Sequence, residues 1–168
     1  MDSFSVVSSG PRETANIASI LAPRLAPGDV VLLTGDLAAG KTTFVKGVAA
    51  ALGSTEVVTS PTFTLAQFYP TGRAPVMHVD TYRLTGIEEY RDLGLDEYYE
   101  SSISLIEWGD KVAGDVGCPL TIRFARPSAG PGGPVAGTDV RTLTFSSSCE
   151  RWTAILENLH GALLETVA

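Results

Sequence analysis

Short apolar runs separated by turn-forming clusters divide this chain, and their period shifts between two and the three-to-four of a helix. Ser3 to Ser8 alternates enough to predict an edge strand, which Ser9-Gly10-Pro11 breaks. From Glu13 to Leu25, residues Ile17, Ile20, Leu21 and Leu25 share one helical face, and Pro23 is set to kink the helix or end it early. Pro27-Gly28-Asp29 then turns the chain into Val30-Val31-Leu32-Leu33, a buried strand by its composition. A helix follows from near Lys41 and is ended by Gly53. Thr64 to Tyr69 and Pro75 to Asp80 predict two strands around Pro70-Thr71-Gly72-Arg73. Residues 86 to 100 are acidic and predict short helices, and Ser102 to Glu107 predicts a further strand. Leu120 to Phe124 and Arg141 to Phe145 predict a final strand pair. Between that pair, residues 127 to 138 mix Pro127, Pro131 and Pro134 with four glycines and read as a mobile surface loop without chemistry. Glu150 to Glu165 sets Trp152, Ile155, Leu156, Leu159 and Leu163 in one stripe, the mark of a packed terminal helix.

No repeat interrupts this order, and 168 residues predict one domain, residues 1–168. A chain of this length buries about 70% of its unfolded surface. The composition, 44% hydrophobic and 18% charged, fits a globular protein. No apolar run is long enough to span a bilayer, and the N-terminus lacks a basic start and apolar signal core, so a cytoplasmic location and no membrane partner are expected. Cys118 and Cys149 lack metal-ligand spacing, and in a reducing compartment each is expected as a small buried residue rather than half of a disulfide. Twelve Lys and Arg stand against 19 Asp and Glu, and only Lys41, Lys46 and Lys111 are lysines. Such a chain disfavours direct, non-specific binding of a polyanion, so any work on nucleic acid is expected to run through a protein partner.

The chemistry begins at Gly35-Asp36-Leu37-Ala38-Ala39-Gly40-Lys41-Thr42, which has the spacing G-x-x-x-x-G-K-[ST]. It lies between a predicted strand and a predicted helix, the setting of a phosphate-binding loop. Gly35 and Gly40 allow torsions and close approach that a Cβ would obstruct. Backbone N–H groups turned inward make an anion nest, and the helix start adds its positive dipole end. Lys41 is expected at the β- and γ-phosphates, and Thr42 offers a hydroxyl to Mg²⁺, which prefers hard oxygen ligands. A nucleoside triphosphate with magnesium is therefore the expected ligand.

Two acids end apolar strands: Asp80 after Val76-Met77-His78-Val79, and Glu107 after Ile103-Ser104-Leu105-Ile106. In a parallel sheet such ends lie along one edge, so both acids are expected to reach the metal, one directly and one through water. Thr62, in Ser60-Pro61-Thr62-Phe63-Thr64-Leu65, lies in a loop whose threonine can touch magnesium or the γ-phosphate, but spacing alone favours an ordinary Ser-Pro turn into a strand. His78 is expected as a hydrogen-bonded structural histidine rather than a general base.

Together these residues resemble the TsaE family, the bacterial ATPases of the threonylcarbamoyl-adenosine tRNA-modification system. The resemblance rests on the loop from Gly35 to Phe44, on Ser60 to Leu65, on His78-Val79-Asp80-Thr81-Tyr82-Arg83-Leu84 and on Glu107-Trp108. It implies an α/β, P-loop NTPase-like three-layer fold with a mixed, largely parallel central sheet. It implies that Leu37, Ala38, Ala39, Gly40, Lys41, Thr42 and Thr43 hold ATP, with Thr14 and Trp108 close to the nucleotide. Thr42 and Glu107 would hold Mg²⁺ with Asp80 assisting, and Lys41, Asp80, Glu107 and Thr62 would form the reactive set. The implied partners are a TsaB–TsaD pair, with tRNA reached only indirectly, and weak ATP turnover in isolation. Two departures stand out: Ala38 replaces a usual glycine, and Gly109 replaces the proline that commonly follows Glu-Trp.

The competing readings are weaker. Guanine-specific proteins use Asn-Lys-x-Asp, and neither Asn16 nor Asn158 stands in that pattern. A small-molecule or nucleotide kinase needs an arginine-bearing lid. The segment Thr85 to Glu100 carries six acids against Arg91 and suits protein docking better. Arg83 is the arginine nearest to serving as a finger. A module that uses ATP only as a structural ligand is the third class.

Overall fold

The computed structural model describes residues 3–127 and 139–167, so the loop expected at 127 to 138 lies almost wholly outside the described residues. Strands β1 (Ser3–Ser8), β2 (Val30–Gly35), β3 (Ala66–Tyr69), β4 (Val76–Asp80), β5 (Ile103–Glu107), β6 (Leu120–Ala125) and β7 (Arg141–Ser146) form one sheet. Their spatial order is β1-β7-β6-β2-β5-β4-β3. The four central strands run parallel, and β1, β7 and β3 join antiparallel at the two sides. The fold is thus α/β with a mixed, largely parallel sheet.

Helices α1 (Pro11–Leu21), α2 (Lys41–Ala51) and α4 (Glu150–Val167) cover one face. Val31 and Leu33 of β2 point into that layer with Phe44, Val48, Phe145 and Trp152. Val30 and Leu32 point to the other face, which α3 (Ile87–Arg91) and short 3-10 turns cover with Tyr90 and Leu95. Strands buried on both faces need continuous apolar runs, and β4 and β5 are buried at every position.

Local chemistry sets the boundaries. Helix α1 starts at Pro11, two residues before the predicted start, because proline's fixed φ suits the first helical position. The Glu13 carboxylate accepts from the Ser9 N–H at 2.7 Å and satisfies a donor ahead of the helix. The helix ends at Leu21, and Pro23, with no N–H to give, falls in a single 3-10 turn. Strand β3 starts at Ala66 rather than Thr64, because Leu65 has φ 66° and closes a turn onto Pro61 O.

The expectation for the cysteines is overturned. Cys118 is exposed and Cys149 half-buried, and the structure pairs them, with Cα atoms 5.8 Å apart. The start of β6 and the head of α4 meet at one end of the sheet, where the Trp152 indole N–H donates to Cys118 O at 2.9 Å. Contacts between residues so distant in sequence are invisible to spacing.

Gly35 closes β2 with φ 132°, and a Cβ there would lie 2.4 Å from Phe124 O of the neighbouring strand. Gly35→Ala should therefore cost about 2–5 kcal/mol through backbone strain and overpacking. Urea denaturation monitored by circular dichroism would show a clearly lower midpoint, and an unchanged midpoint would refute this account of the β2 end.

Candidate functional site

A cleft of about 530 Å³ opens at the carboxyl ends of the parallel strands. One wall is the turn between β2 and α2; the others come from the ends of β4 and β5, the 60–65 loop and the start of β7. The register pairs Asp80 with Glu107 and Glu107 with Leu33, so both acids stand beside the loop that leaves β2.

Glu107 is 4% exposed, and its Oε1 accepts a hydrogen bond from Thr42 Oγ1 at 2.7 Å. His78 Nε2 stands 2.8 Å from the same oxygen, and His78 is fully buried. The expected structural histidine is thus a neighbour of the acid, and its Nδ1 has no hydrogen-bond partner among the described residues. Asp80 is bound differently. Its Oδ2 accepts from Thr62 Oγ1 at 2.9 Å and Ser60 Oγ at 3.2 Å, and its Oδ1 accepts from the Tyr82 N–H at 2.8 Å. Asp80 ties down a loop, whereas Glu107 meets the head of α2.

Lys41 is 4% exposed. Its Nζ donates to Gly35 O at 2.7 Å and Asp36 O at 2.8 Å, and it lies 4.1 Å from the centroid of the Trp108 ring. Burial pushes the ammonium below its usual pKa, while the charges of Glu107, Asp80, Asp36 and Asp110 push back. Trp108 has φ 58° and packs against Tyr82 with ring centroids 5.0 Å apart. Thr81 Oγ1 donates to Trp108 O at 2.9 Å, and Lys111 Nζ donates to the carbonyls of Thr81, Tyr82 and Leu84. These bonds lock the turns after β4 and β5 together. Gly109 opens a 3-10 turn after Trp108, and a Cβ there would lie 2.7 Å from Leu32 Cβ.

Leu37, Ala38, Ala39, Gly40, Lys41, Thr42, Thr43, Thr62, Asp80, Glu107 and Trp108 all line the cleft. Thr14 does not: it is fully buried, and its hydroxyl pairs with Ser8 Oγ at 2.8 Å, one helical turn behind Pro11. Sequence reading missed Pro11, Ser60, Tyr82, Asp139 and Arg141 on the cleft walls. Tyr82 was within reach, two residues beyond Asp80. Arg141 carried no local signal, being an arginine at the head of a strand far along the chain.

A strand, a glycine-bounded loop and a helix at the carboxyl ends of parallel strands, with an acid at the end of the adjacent strand, define an α/β protein with its cleft at that end of the sheet. The chain belongs to the TsaE family: residues 8–128 match the family described as threonylcarbamoyl adenosine biosynthesis protein TsaE. It is similar to the tRNA threonylcarbamoyladenosine biosynthesis protein TsaE of Bacillus subtilis, 41% identical over 89% of each chain. The protein of the same description from Treponema pallidum is 45% identical, over 66% of this chain and 82% of its own. The crystal structure of Bacillus subtilis YdiB superposes with a TM-score of 0.77 and 35% identity over 95% of both chains.

Ala38 adopts φ 59°, a left-handed conformation that disfavours any residue with a Cβ. Ala38→Gly should relieve that strain and, after the added freedom of the unfolded chain, stabilise the protein by about 0.5–1 kcal/mol. Calorimetric melting should show a rise of roughly 1–4 °C. A fall in Tm would mean that the Ala38 methyl contributes packing that outweighs its backbone cost.

Proposed function

We propose that the cleft binds ATP with Mg²⁺ and hydrolyses it slowly, in the service of tRNA threonylcarbamoyladenosine biosynthesis and in company with a TsaB–TsaD-like pair. The observation that carries this reading is the contact between Thr42 Oγ1 and Glu107 Oε1, made at the head of α2 and beside Lys41. A helix head with open N–H groups and a lysine suits phosphates. A hydroxyl and a carboxylate suit a hard cation that takes oxygen ligands. Among the described residues no cluster of three His, Cys, Asp or Glu would hold a metal unaided. Magnesium here would complete its shell with phosphate oxygens and water, as it does in nucleotide sites. When bound, the ion would neutralise charge on the phosphates.

The residues divide the work. The loop N–H groups and Lys41 bind the phosphate chain. Thr42 and Glu107 would hold the metal, and His78 keeps Glu107 in place. Asp80 with Thr62 links the metal side of the cleft to the 60–65 loop, a position suited to reporting nucleotide state. The arginines offer little to the reacting end. Arg141 is committed to Ala39 O and Asp139 O, and Arg83 stacks 5.4 Å from the Phe63 ring centroid. That arrangement supports the reading of a slow site that a partner completes. Leu37 and Phe63, 69% and 87% exposed beside the cleft, give such a partner apolar surface to cover. The kinase alternative fares worse, because Arg91 of the acidic segment is paired with Asp115 and Glu88 instead of free to close over a phosphate.

Lys41→Ala should weaken ATP about tenfold to a hundredfold, the cost of a lost charge-assisted hydrogen bond of ~1.5–3 kcal/mol. Isothermal titration on the folded variant checks this, and wild-type affinity would sink the phosphate-loop assignment. Glu107→Ala and Asp80→Ala should keep part of the nucleotide affinity and lose magnesium-dependent phosphate release, with Glu107→Ala the more severe. Full hydrolysis in both would place the metal acid elsewhere. In a reconstituted system, repeated rounds of tRNA modification should need this protein and its ATP turnover. Multiple-turnover modification that proceeds unchanged without it would overturn the role in the pathway.

A further inference from the structure

Arg141 opens β7, 102 positions along the chain from Ala39, yet its guanidinium reaches the phosphate loop. The residue is 7% exposed and lines the cleft. Nη1 donates to Ala39 O at 3.1 Å in a buried bond, and Nε and Nη2 donate to Asp139 O at 3.0 and 2.8 Å. The Asp139 carboxylate, 3.8 Å away, is itself exposed.

In a trans peptide the carbonyl and the following N–H point in opposite directions, and the described chain has no cis peptide. A donor that holds Ala39 O on the buried side therefore turns the Gly40 N–H toward the open side. Gly40 makes room for this, since a Cβ there would sit 2.5 Å from Arg141 Nη1. The N–H groups of Gly40, Lys41, Thr42 and Thr43 meet no acceptor among the described residues. Glycine also leaves the peptide between residues 39 and 40 free to rotate. Rotated by half a turn, it would present a carbonyl oxygen where an anion needs an N–H.

We propose that Arg141 is a positioning residue for phosphate binding: it fixes the orientation of the 39–40 peptide and so aims the Gly40 N–H at the bound anion. The proposal rests on the nucleotide reading given above. It assigns the buried arginine to the loop backbone rather than to the reacting phosphate.

Two probes test it, ADP by calorimetry without magnesium and inorganic pyrophosphate by ¹H–¹⁵N spectra. In the wild type the amides of Gly40 to Thr43 should shift together as pyrophosphate saturates. Arg141→Met should weaken ADP at least tenfold and abolish the Gly40 shift while that of Thr43 persists. Arg141→Lys, which keeps the charge without the fork, should fall between. Unchanged ADP affinity and an unchanged Gly40 shift in Arg141→Met would overturn the proposal and leave the nucleotide site standing. A wild-type protein that binds neither probe would overturn both. Where Arg141→Met does not fold, the wild-type spectrum decides: a Gly40 amide that stays still while Lys41 to Thr43 move overturns the proposal, and one that moves with them supports it.

Discussion

The parallel alignment of β2, β5 and β4 governs the rest of the molecule. These strands are buried at nearly every position because helices or turns cover both faces. The two acids of these strands stand at their ends. The register then sets Leu33 beside Glu107 and Glu107 beside Asp80 on one edge of the sheet. A buried carboxylate is costly unless donors satisfy it. Thr42 and His78 do so for Glu107, and Thr62, Ser60 and the Tyr82 N–H do so for Asp80.

The same edge collects the backbone strain. Ala38, Leu65 and Trp108 are the residues other than glycine with positive φ among the described residues. Each belongs to a loop that builds the cleft. Leu65 O accepts from the Asp80 N–H at 2.9 Å, and Trp108 O accepts from Thr81. Left-handed residues cost energy and persist where surrounding bonds over-determine them. Here the strained turns bond to Asp80 and to Thr81 beside it, so site geometry and loop geometry are coupled.

Lys41 shows how little freedom is left. Both its carbonyl partners belong to the loop that it follows, and Trp108 covers it from the next strand end. The ammonium is held in place by the protein's own groups. The opposite wall is held by Arg141 through Ala39 O and by Arg126 through Ala38 O. The loop is thus tied from both sides by residues remote in sequence.

Much of this was legible in the chain. The strands and the main helices follow from apolar runs and their period, because burial on one face or two writes itself into local sequence. The glycine-bounded loop was legible because its glycines, lysine and hydroxyl stand at a fixed spacing between a strand and a helix. Asp80 and Glu107 were legible as strand-end acids. What the tertiary structure decided is which distant groups meet. It separated the roles of the two acids, turned Thr14 inward to Ser8, joined Cys118 to Cys149 and brought Arg141 to the loop. Local periodicity reports whether a residue is buried. It says nothing of which residue lies opposite, because that depends on strand order and on the crossovers that set it.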